Sequence, residues 1–212
     1  MTYDFPARDF DDWASSYDSS ILTGGFPLDG YISVLETIFK LASPFQGAAV
    51  LDLGIGTGNL AKYFTDFGCS IWGLDFSEEM LKHARIKIPE AVLGNEDIRS
   101  DWPMHFKRQL DRIVSAYTFH HFTLEEKVTL VQRLFKDHLV PGGKLVIGDI
   151  AFQNAADEDA CRRRLGSDWE QELYWLADES ATAFNTVGIS VQFRPISYCA
   201  SVFQFSTREP EA

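Results

Sequence analysis

VLDLGIGTGNLA, residues 50–61, joins a short apolar run around Asp52 to glycines at every second position, Gly54, Gly56 and Gly58. The apolar run predicts a strand that is buried on both faces. The glycines allow the backbone to turn tightly and to approach a ligand with no Cβ in the way, before a helix begins near Asn59. The stretch therefore predicts the first strand-to-helix turn of a nucleotide-type site.

The spacing of the glycines and the acidic residue before them indicate the chemistry of the ligand. A dinucleotide fingerprint needs its third glycine three residues after the second, but that position holds Asn59. Asp52 would also lie close to a pyrophosphate, and like charges repel in a poorly solvated crevice. S-adenosylmethionine has no phosphate and carries a cationic sulfonium and a cationic α-ammonium. It therefore suits this acidic turn better than a nicotinamide dinucleotide does.

Composition and charge restrict the class of protein. A chain of 212 residues with 45% hydrophobic residues is long enough for one domain with a sizeable core. The net charge of −12 argues against nucleic acid as the main partner and favours a small-molecule substrate, because phosphate binding relies on clustered Lys and Arg. No apolar run approaches the roughly 18 residues of a membrane span, and the acidic N-terminus is unlike a signal peptide, so we expect a cytoplasmic protein. The 3 cysteines are widely spaced and predict neither a disulfide framework nor a zinc cluster.

The order of the predicted elements favours a parallel sheet covered by helices on both faces. Strands are expected at 49–53, 70–74, 91–93, 112–116 and 144–149, with helices at 29–42 and 59–67, after Ser77, and from Thr123 to about 139. A long helical stretch is expected from 155 to about 187, followed by strands at 189–193 and 198–205. The link between these last strands is too short for a crossover helix, so they form a hairpin.

Four strand ends carry a resemblance to a known family, namely Val50–Ala61, Asp75, Asn95–Ile98 and Ser115–His121. They resemble the corresponding motifs of class I S-adenosylmethionine-dependent methyltransferases. The matches run from about Trp13 to Asp149, and the whole chain looks like a small bacterial-type methyltransferase of the small-molecule branch. The resemblance implies methyl transfer from S-adenosyl-L-methionine, with S-adenosyl-L-homocysteine as the product. A non-catalytic or regulatory S-adenosylmethionine-binding protein and, less favoured, a nicotinamide-dependent oxidoreductase stay open as alternatives.

The same resemblance implies a Rossmann-like α/β fold. Its sheet is mostly parallel and seven-stranded, in the order 3-2-1-4-5-7-6 with the last strand antiparallel. We expect a single methyltransferase domain over 1–212. Within it, 1–45 would form an N-terminal helical lid segment, 46–150 the cofactor-binding core, and 151–212 a helical insertion followed by the C-terminal strand pair.

Residues that directly follow the strands should line one crevice, because ligands of open α/β sheets bind at the carboxyl ends of the strands. Asp75 ends the second strand and is placed to accept hydrogen bonds from the ribose hydroxyls. Phe76 can give an apolar face to adenine, and Met80 can close the pocket. By resemblance, Asp97 meets the adenine amino group and Ile98 lies against the ring, with Asp101 as a nearby competitor for the first role.

Two further segments are assigned by resemblance. The backbone after the fourth strand, from Ala116, would pass the methionine portion of the cofactor. The N-terminal segment would fold over the cofactor, with Tyr17 reaching the methionine carboxylate. The predicted cofactor-binding residues are thus Tyr17, Asp52, Gly54, Gly56, Gly58, Asp75, Phe76, Met80, Asp97, Ile98 and Ala116.

His120 and His121 are the candidate catalytic residues. Methyl transfer needs a base only if the acceptor arrives protonated, and imidazole titrates near neutral pH. Adjacent residues in an extended loop point apart, so we expect at most one of the two to face the substrate. No further His or Cys residues at ligand spacing accompany the pair, so a metal site is not predicted.

Overall fold

A mixed sheet forms the centre of the protein in the computed structural model, which describes residues 25–207. Its strands are β1 Ala49–Leu53, β2 Ser70–Asp75, β3 Val92–Asn95, β4 Leu110–Ala116, β5 Leu139–Phe152, β6 Trp175–Leu176, β7 Ile189–Pro195 and β8 Ala200–Thr207. The main order is β3-β2-β1-β4-β5-β8-β7, and β8 pairs antiparallel with both β5 and β7. The two-residue β6 pairs with β5 beside this path. With β6 set apart, the predicted order 3-2-1-4-5-7-6 and its antiparallel last strand are confirmed.

Helices cover both faces of this sheet. They are α1 Tyr31–Ala42, α2 Asn59–Phe67, α3 Glu78–Lys87, α4 Leu124–Arg133, α5 Ala155–Leu165 and α6 Ala177–Thr186. Side chains of α1, α2 and α3 pack with Val50 on one face, whereas those of α4 and α6 pack with Leu51 and Leu53 on the other. Strand β1 is therefore apolar on both faces, as the sequence predicts. No helix within residues 25–207 is both long enough and apolar enough to cross a membrane.

The ends of several helices follow from short-range sequence signals. Helix α2 begins after Gly58 and ends at Gly68, both in the left-handed region of backbone conformation. The Ser77 hydroxyl accepts a hydrogen bond from the backbone of Met80 at the start of α3. Thr123 opens α4 with a complete capping box. These predicted helix starts are confirmed, and they fix where the strand-to-helix turns lie.

The expectation of one helical stretch from 155 to about 187 is wrong. Helix α5 ends at Leu165, Gly166 follows at φ +58°, and the chain forms no regular helix again until α6. Trp169 and Tyr174 pack on the ring of Phe152 at the end of β5. These tertiary contacts outweigh the helical spacing of the sequence, and they place residues 169–174 over the carboxyl ends of the strands.

Candidate functional site

A cavity of about 520 Å³ opens at the carboxyl ends of β1, β2 and β4, within the size range of small-molecule sites. One end, here the glycine end, is lined by Asp52, Gly54, Gly56, Asp75, Phe76 and Met80. The other, the histidine end, is lined by Tyr117, His120, His121, Glu170 and Glu172. Ala116 also lines the cavity. The structure therefore brings most of the predicted site residues to one cavity.

Gly54 and Gly56, the first two glycines of the turn, have different structural roles. Gly54 has φ +68°, and a Cβ built on it would lie 2.1 Å from the hydroxyl of Thr118. Gly56 has φ +53°, but a Cβ there would meet nothing within 4 Å. Gly54 thus allows the turn to approach the loop after β4, whereas Gly56 leaves open space. Gly58 does not line the cavity; it starts α2 and approaches Ile88 of α3.

Asp52 is a buried carboxylate on the floor of the glycine end, 1% exposed. Neither of its oxygens has a hydrogen-bond partner among the described residues. Burial, and next the negative charge of Asp75, raise its pKa well above the usual value, and the nearby backbone amide of Ala61, which lies outside hydrogen-bond geometry, opposes this only in part. A buried carboxylate without a partner is costly, so this position favours a cationic ligand group.

Asp75 is held rigidly at the end of β2. Its Oδ2 accepts a hydrogen bond of 2.8 Å from the backbone of Gly56, and its Oδ1 accepts one of 2.9 Å from the backbone of Ser77. These two bonds fix the orientation of the carboxylate at the edge of the cavity. The glycine turn and the second strand end are therefore one hydrogen-bonded unit.

Asp97 and Ile98 are not brought to this cavity. The Asp97 carboxylate accepts hydrogen bonds from the guanidinium of Arg99, at 3.1 Å from Nε and 2.7 Å from Nη2. Burial alone would raise the pKa of Asp97, but these bonds to Arg99 outweigh it and lower the pKa. Ile98 packs in the core, 4% exposed, beside Trp102. The predicted adenine contacts of both residues therefore find no support in this geometry. Tyr17 and Trp13 lie outside the described residues.

Both histidines face the cavity, contrary to the expectation that at most one would. A short 3₁₀ turn, Phe119–His121, replaces the extended loop and turns both rings to the same side. Their ring centroids lie 4.0 Å apart. Burial, and next the neighbouring His120, lower the pKa of His121 to about 3, so its ring is neutral at physiological pH.

Asp149, at the end region of β5, fixes the orientation of His120. Its carboxylate lies 2.6 Å from His120 Nδ1 and accepts hydrogen bonds from the backbone amides of His120 and Ile150 and from the indole of Trp175. Burial lowers the pKa of His120, but the charge and hydrogen bond of Asp149 outweigh it, so that pKa is raised. Conversely, burial raises the pKa of Asp149, and His120 outweighs that effect. The pair directs His120 Nε2 away from Asp149.

Glu172 completes the histidine end. One carboxylate oxygen lies 3.5 Å from His120 Nε2 and the other lies 3.8 Å from His121 Nδ1. The adjacent Leu173 anchors it, since its amide donates to the His120 carbonyl at 3.0 Å and its carbonyl accepts from Lys127 Nζ at 2.6 Å. Sequence reasoning missed Glu172, because it lies in the stretch expected to be helical. Asp149 could have been found, since it closes a predicted strand at the same sheet edge.

Tyr117 belongs to the Ser115–His121 segment of the sequence analysis but was not among the predicted site residues. It is a non-glycine residue at φ +55°, a conformation that concentrates at functional sites. Its ring stacks on Tyr31 with centroids 5.1 Å apart, and its buried hydroxyl has no hydrogen-bond partner in residues 25–207. Tyr117 therefore combines an uncommon backbone conformation with an unpaired buried hydroxyl in the lining of the cavity.

The sheet order and a ligand cavity beside a glycine turn define a class I methyltransferase fold, and comparison with known proteins agrees. Residues 50–143 match the family described as methyltransferase domain. An uncharacterized methyltransferase of a Geobacillus species is 33% identical, over 84% of this chain and 81% of that protein. The uncharacterized methyltransferase YrrT of Halobacillus halophilus is 31% identical, over 92% of this chain and 94% of its own length.

Solved structures share the fold at low sequence identity. The DhpI-SAM-HEP complex has a TM-score of 0.70 at 16% identity and is covered over 94% of both chains. Magnesium protoporphyrin IX methyltransferase of Synechocystis with bound SAH has a TM-score of 0.70 at 14% identity, over 96% of this chain and all of that one. These structures show the fold, whereas the relatives at 33% and 31% identity show that the chain belongs to the S-adenosylmethionine-dependent methyltransferases, a family whose cofactor is S-adenosylmethionine.

The glycine end fits this cofactor. Asp52 is a buried carboxyl group whose oxygens have no hydrogen-bond partner among the described residues, and the ammonium or sulfonium of the cofactor would favour its charged form. Gly56 leaves the space that a Cβ would otherwise fill. Asp75 presents a fixed carboxylate of the kind that accepts hydrogen bonds from ribose hydroxyls.

Proposed function

We propose that the protein transfers the methyl group of S-adenosylmethionine to a small-molecule acceptor at the histidine end of the cavity. The observation that carries this proposal is the continuity of the two ends, since a cofactor held at the glycine end and an acceptor beside His120 would share one cavity. The cofactor supplies a methyl carbon already activated by the sulfonium. What remains for the protein is to align the acceptor, exclude water and remove a proton.

Size and charge favour a small acceptor over a nucleic acid. The described residues that line the cavity include no lysine or arginine, and the whole chain carries a net charge of −12. The aromatic segment 169–174 covers the histidine end, with Trp169 stacked on Phe26 at 5.3 Å. A covered, acidic cavity suits a neutral or cationic small molecule and disfavours a polyanion. The Synechocystis neighbour, named for magnesium protoporphyrin IX, is an example of a small-molecule enzyme with this fold.

At the glycine end, Asp52 would pair with the α-ammonium of the cofactor and Asp75 would accept hydrogen bonds from its ribose. Phe76 and Met80 would line the adenine pocket, next to Asp75. These roles are assigned from position and chemistry. Each role can be tested by substituting the residue, because these residues line the cavity.

At the histidine end, His120 would act as the general base. With Nδ1–H donated to Asp149, a neutral His120 ring presents the lone pair of Nε2 to the cavity. His120 Nε2 would take the proton that the acceptor loses when it receives the methyl group. Asp149 stabilises the imidazolium that forms. His121 and Tyr117 would contact the acceptor or the cofactor without changing charge.

The test is to trace methyl-labelled S-adenosylmethionine in a bacterial cell extract that has been separated into small-molecule, protein and nucleic-acid fractions. We expect label from the purified protein in the small-molecule fraction, and loss of that label with His120→Ala. Label confined to protein or nucleic acid would contradict the small-molecule proposal. Cofactor binding without label in any fraction would instead favour the non-catalytic alternative.

A further inference from the structure

The histidine end contains a set of three metal-ligand side chains that the methyl-transfer proposal does not require. His120, His121 and Glu172 each offer one ligand atom, and these atoms lie within 4.8 Å of one another. The shorter separations are 3.5 Å from His120 Nε2 to the carboxylate and 3.8 Å from His121 Nδ1 to the carboxylate. Two imidazoles and one carboxylate form the ligand set of many catalytic metal sites, with the remaining positions open.

The separations agree with a cation placed between the three groups. Zinc lies about 2.0–2.2 Å from nitrogen and oxygen ligands in a tetrahedral arrangement, which puts ligand atoms roughly 3.4 Å apart. The two gaps to Glu172, which end on different carboxylate oxygens, exceed this by about 0.1–0.4 Å, and all three ligand atoms lie within 4.8 Å of one another. Side-chain rotations that bring the two rings and one carboxylate oxygen closer together would complete the arrangement. Glu172 would supply negative charge beside a divalent ion, and the two imidazoles, each without a proton on its ligand nitrogen, would complete a set typical of transition metals rather than Mg²⁺ or Ca²⁺.

The surroundings hold the three ligands as a metal site requires. His120 donates its other ring nitrogen to Asp149, which is the usual arrangement behind a metal-binding histidine. The Asp149 carboxylate is itself fixed by the Trp175 indole and by backbone amides. Glu172 is positioned through the backbone of Leu173, which bonds to the His120 carbonyl and to Lys127. Lys127 brings a positive charge near the site, but Asp149 and Glu172 outweigh it.

We propose that His120, His121 and Glu172 bind a divalent transition-metal cation, of which Zn²⁺ is the reference case, at the histidine end of the cavity. The open positions of the metal would face the acceptor. Because the metal would occupy His120 Nε2, it is an alternative to the general-base role and would lower the pKa of the acceptor directly. The effect of the metal on the pKa of the acceptor rests on the proposed function, whereas binding of the metal does not.

The experiment is calorimetric titration of chelator-stripped protein with ZnCl₂, and then with MnCl₂, in the wild type and in variants. We expect one Zn²⁺ per chain, with affinity at least about 100-fold weaker in His121→Ala and in Glu172→Gln, because each loses a ligand. Asp149→Asn should weaken it about 10–100-fold, as for other partners of metal-binding histidines. His83→Ala, an exposed histidine on α3, and Glu90→Gln, an exposed acid outside the cavity, are the matched controls and should bind Zn²⁺ like the wild type.

S-adenosylhomocysteine is titrated into the same variants to show that the fold and the glycine end are intact. A wild type that binds no Zn²⁺, or variants that bind it unchanged, would overturn the metal site. If a variant fails to fold, the anomalous scattering peak of zinc in wild-type crystals decides, and a peak away from these three residues overturns the proposal. Zinc binding in a protein that transfers no methyl group would leave the metal site standing while the proposed function fails.

Discussion

The two ends of the cavity are assembled in different ways. The glycine end comes from two adjacent strand-to-helix turns, within residues 52–80, and backbone geometry shapes it. The histidine end joins the loop after β4, the end of β5 and the segment between α5 and α6, which are far apart in the sequence. The glycine end is therefore tied to the fold itself. The histidine end depends on long-range packing and can diverge while the glycine end stays the same.

The two ends also differ in how they treat buried charge. Asp52 has no hydrogen-bond partner among residues 25–207, whereas Asp149 accepts bonds from His120, Ile150 and Trp175. A buried carboxylate without a hydrogen-bond partner lowers the stability of the protein without ligand, and a ligand can supply the missing partner. A fully hydrogen-bonded carboxylate instead fixes the orientation of the side chains around it. The predictions below test this difference, beginning with the largest expected effect.

Replacement of His120 should affect turnover far more than cofactor binding. His120→Ala removes the imidazole that Asp149 orients, and loss of a general base lowers rates by about 10²–10⁴-fold. Affinity for S-adenosylhomocysteine should stay near the wild-type value, because this product binds at the glycine end. Single-turnover methyl transfer and calorimetry measure the two effects, with His83→Ala as the control. Full turnover in His120→Ala would remove it from the reaction.

Substitution by alanine should mainly lower stability at Gly54 and mainly lower cofactor binding at Gly56. Gly54→Ala forces a Cβ into Thr118 at a left-handed residue and should lower the free energy of unfolding by about 2–4 kcal/mol. Gly56→Ala meets open space, so only about 1 kcal/mol of backbone strain is expected, with loss of cofactor binding. Urea unfolding and calorimetry separate stability from binding. Equal destabilisation by the two changes would contradict the assignment of Gly56 to the ligand.

Asp75→Ala tests the proposed ribose contact, and Asp97→Ala is its matched control. Asp75→Ala should weaken binding of S-adenosylhomocysteine about 10–100-fold, since a hydrogen bond to a charged acceptor is worth about 1.5–3 kcal/mol. Asp97→Ala should leave binding unchanged, because that carboxylate is bound to Arg99 away from the cavity. Calorimetry measures both. A larger loss in Asp97→Ala would restore the role that the resemblance implied for Asp97.

Asp52→Asn should raise the stability of the protein without ligand by about 1 kcal/mol, since a neutral amide costs less to bury than a carboxylate. The pKa of Asp52 is raised in the fold, so unfolding releases a proton once the pH exceeds the ordinary value of 3.8. Wild-type stability from this group is therefore lost as the pH rises, and the advantage of the variant should grow from pH 4 to pH 7. Thermal unfolding across this range measures it. A variant less stable than the wild type at pH 7 would show that Asp52 is not an unpaired charge.

The sequence predicted what short-range signals determine. Gly58 and Gly68 bound α2, Ser77 caps α3, and Asp75 follows its strand into the cavity, because each depends on a few neighbouring residues. Prediction failed where distant contacts decide. The aromatic packing of Trp169 and Tyr174 interrupted the expected helix and brought Glu172 beside the histidines, which no local pattern indicates.

Resemblance was also a weaker guide where this chain differs locally from the expected arrangement. Asp97 matches the family position by residue type, but Arg99 two residues on takes its carboxylate. Likewise, His120 and His121 were expected to point apart, and the 3₁₀ turn that unites them has no clear signal in its sequence. The motifs in the sequence therefore indicated where the site lies, but they did not predict which side chains contact one another within it.

A crystal structure of the protein with S-adenosylhomocysteine tests the central claim most directly. The account predicts the α-ammonium within hydrogen-bond distance of Asp52, the ribose hydroxyls on Asp75, and the sulfur directed toward the histidine end. A ligand whose ammonium leaves Asp52 unpaired, or whose ribose contacts Asp97 instead of Asp75, would contradict it.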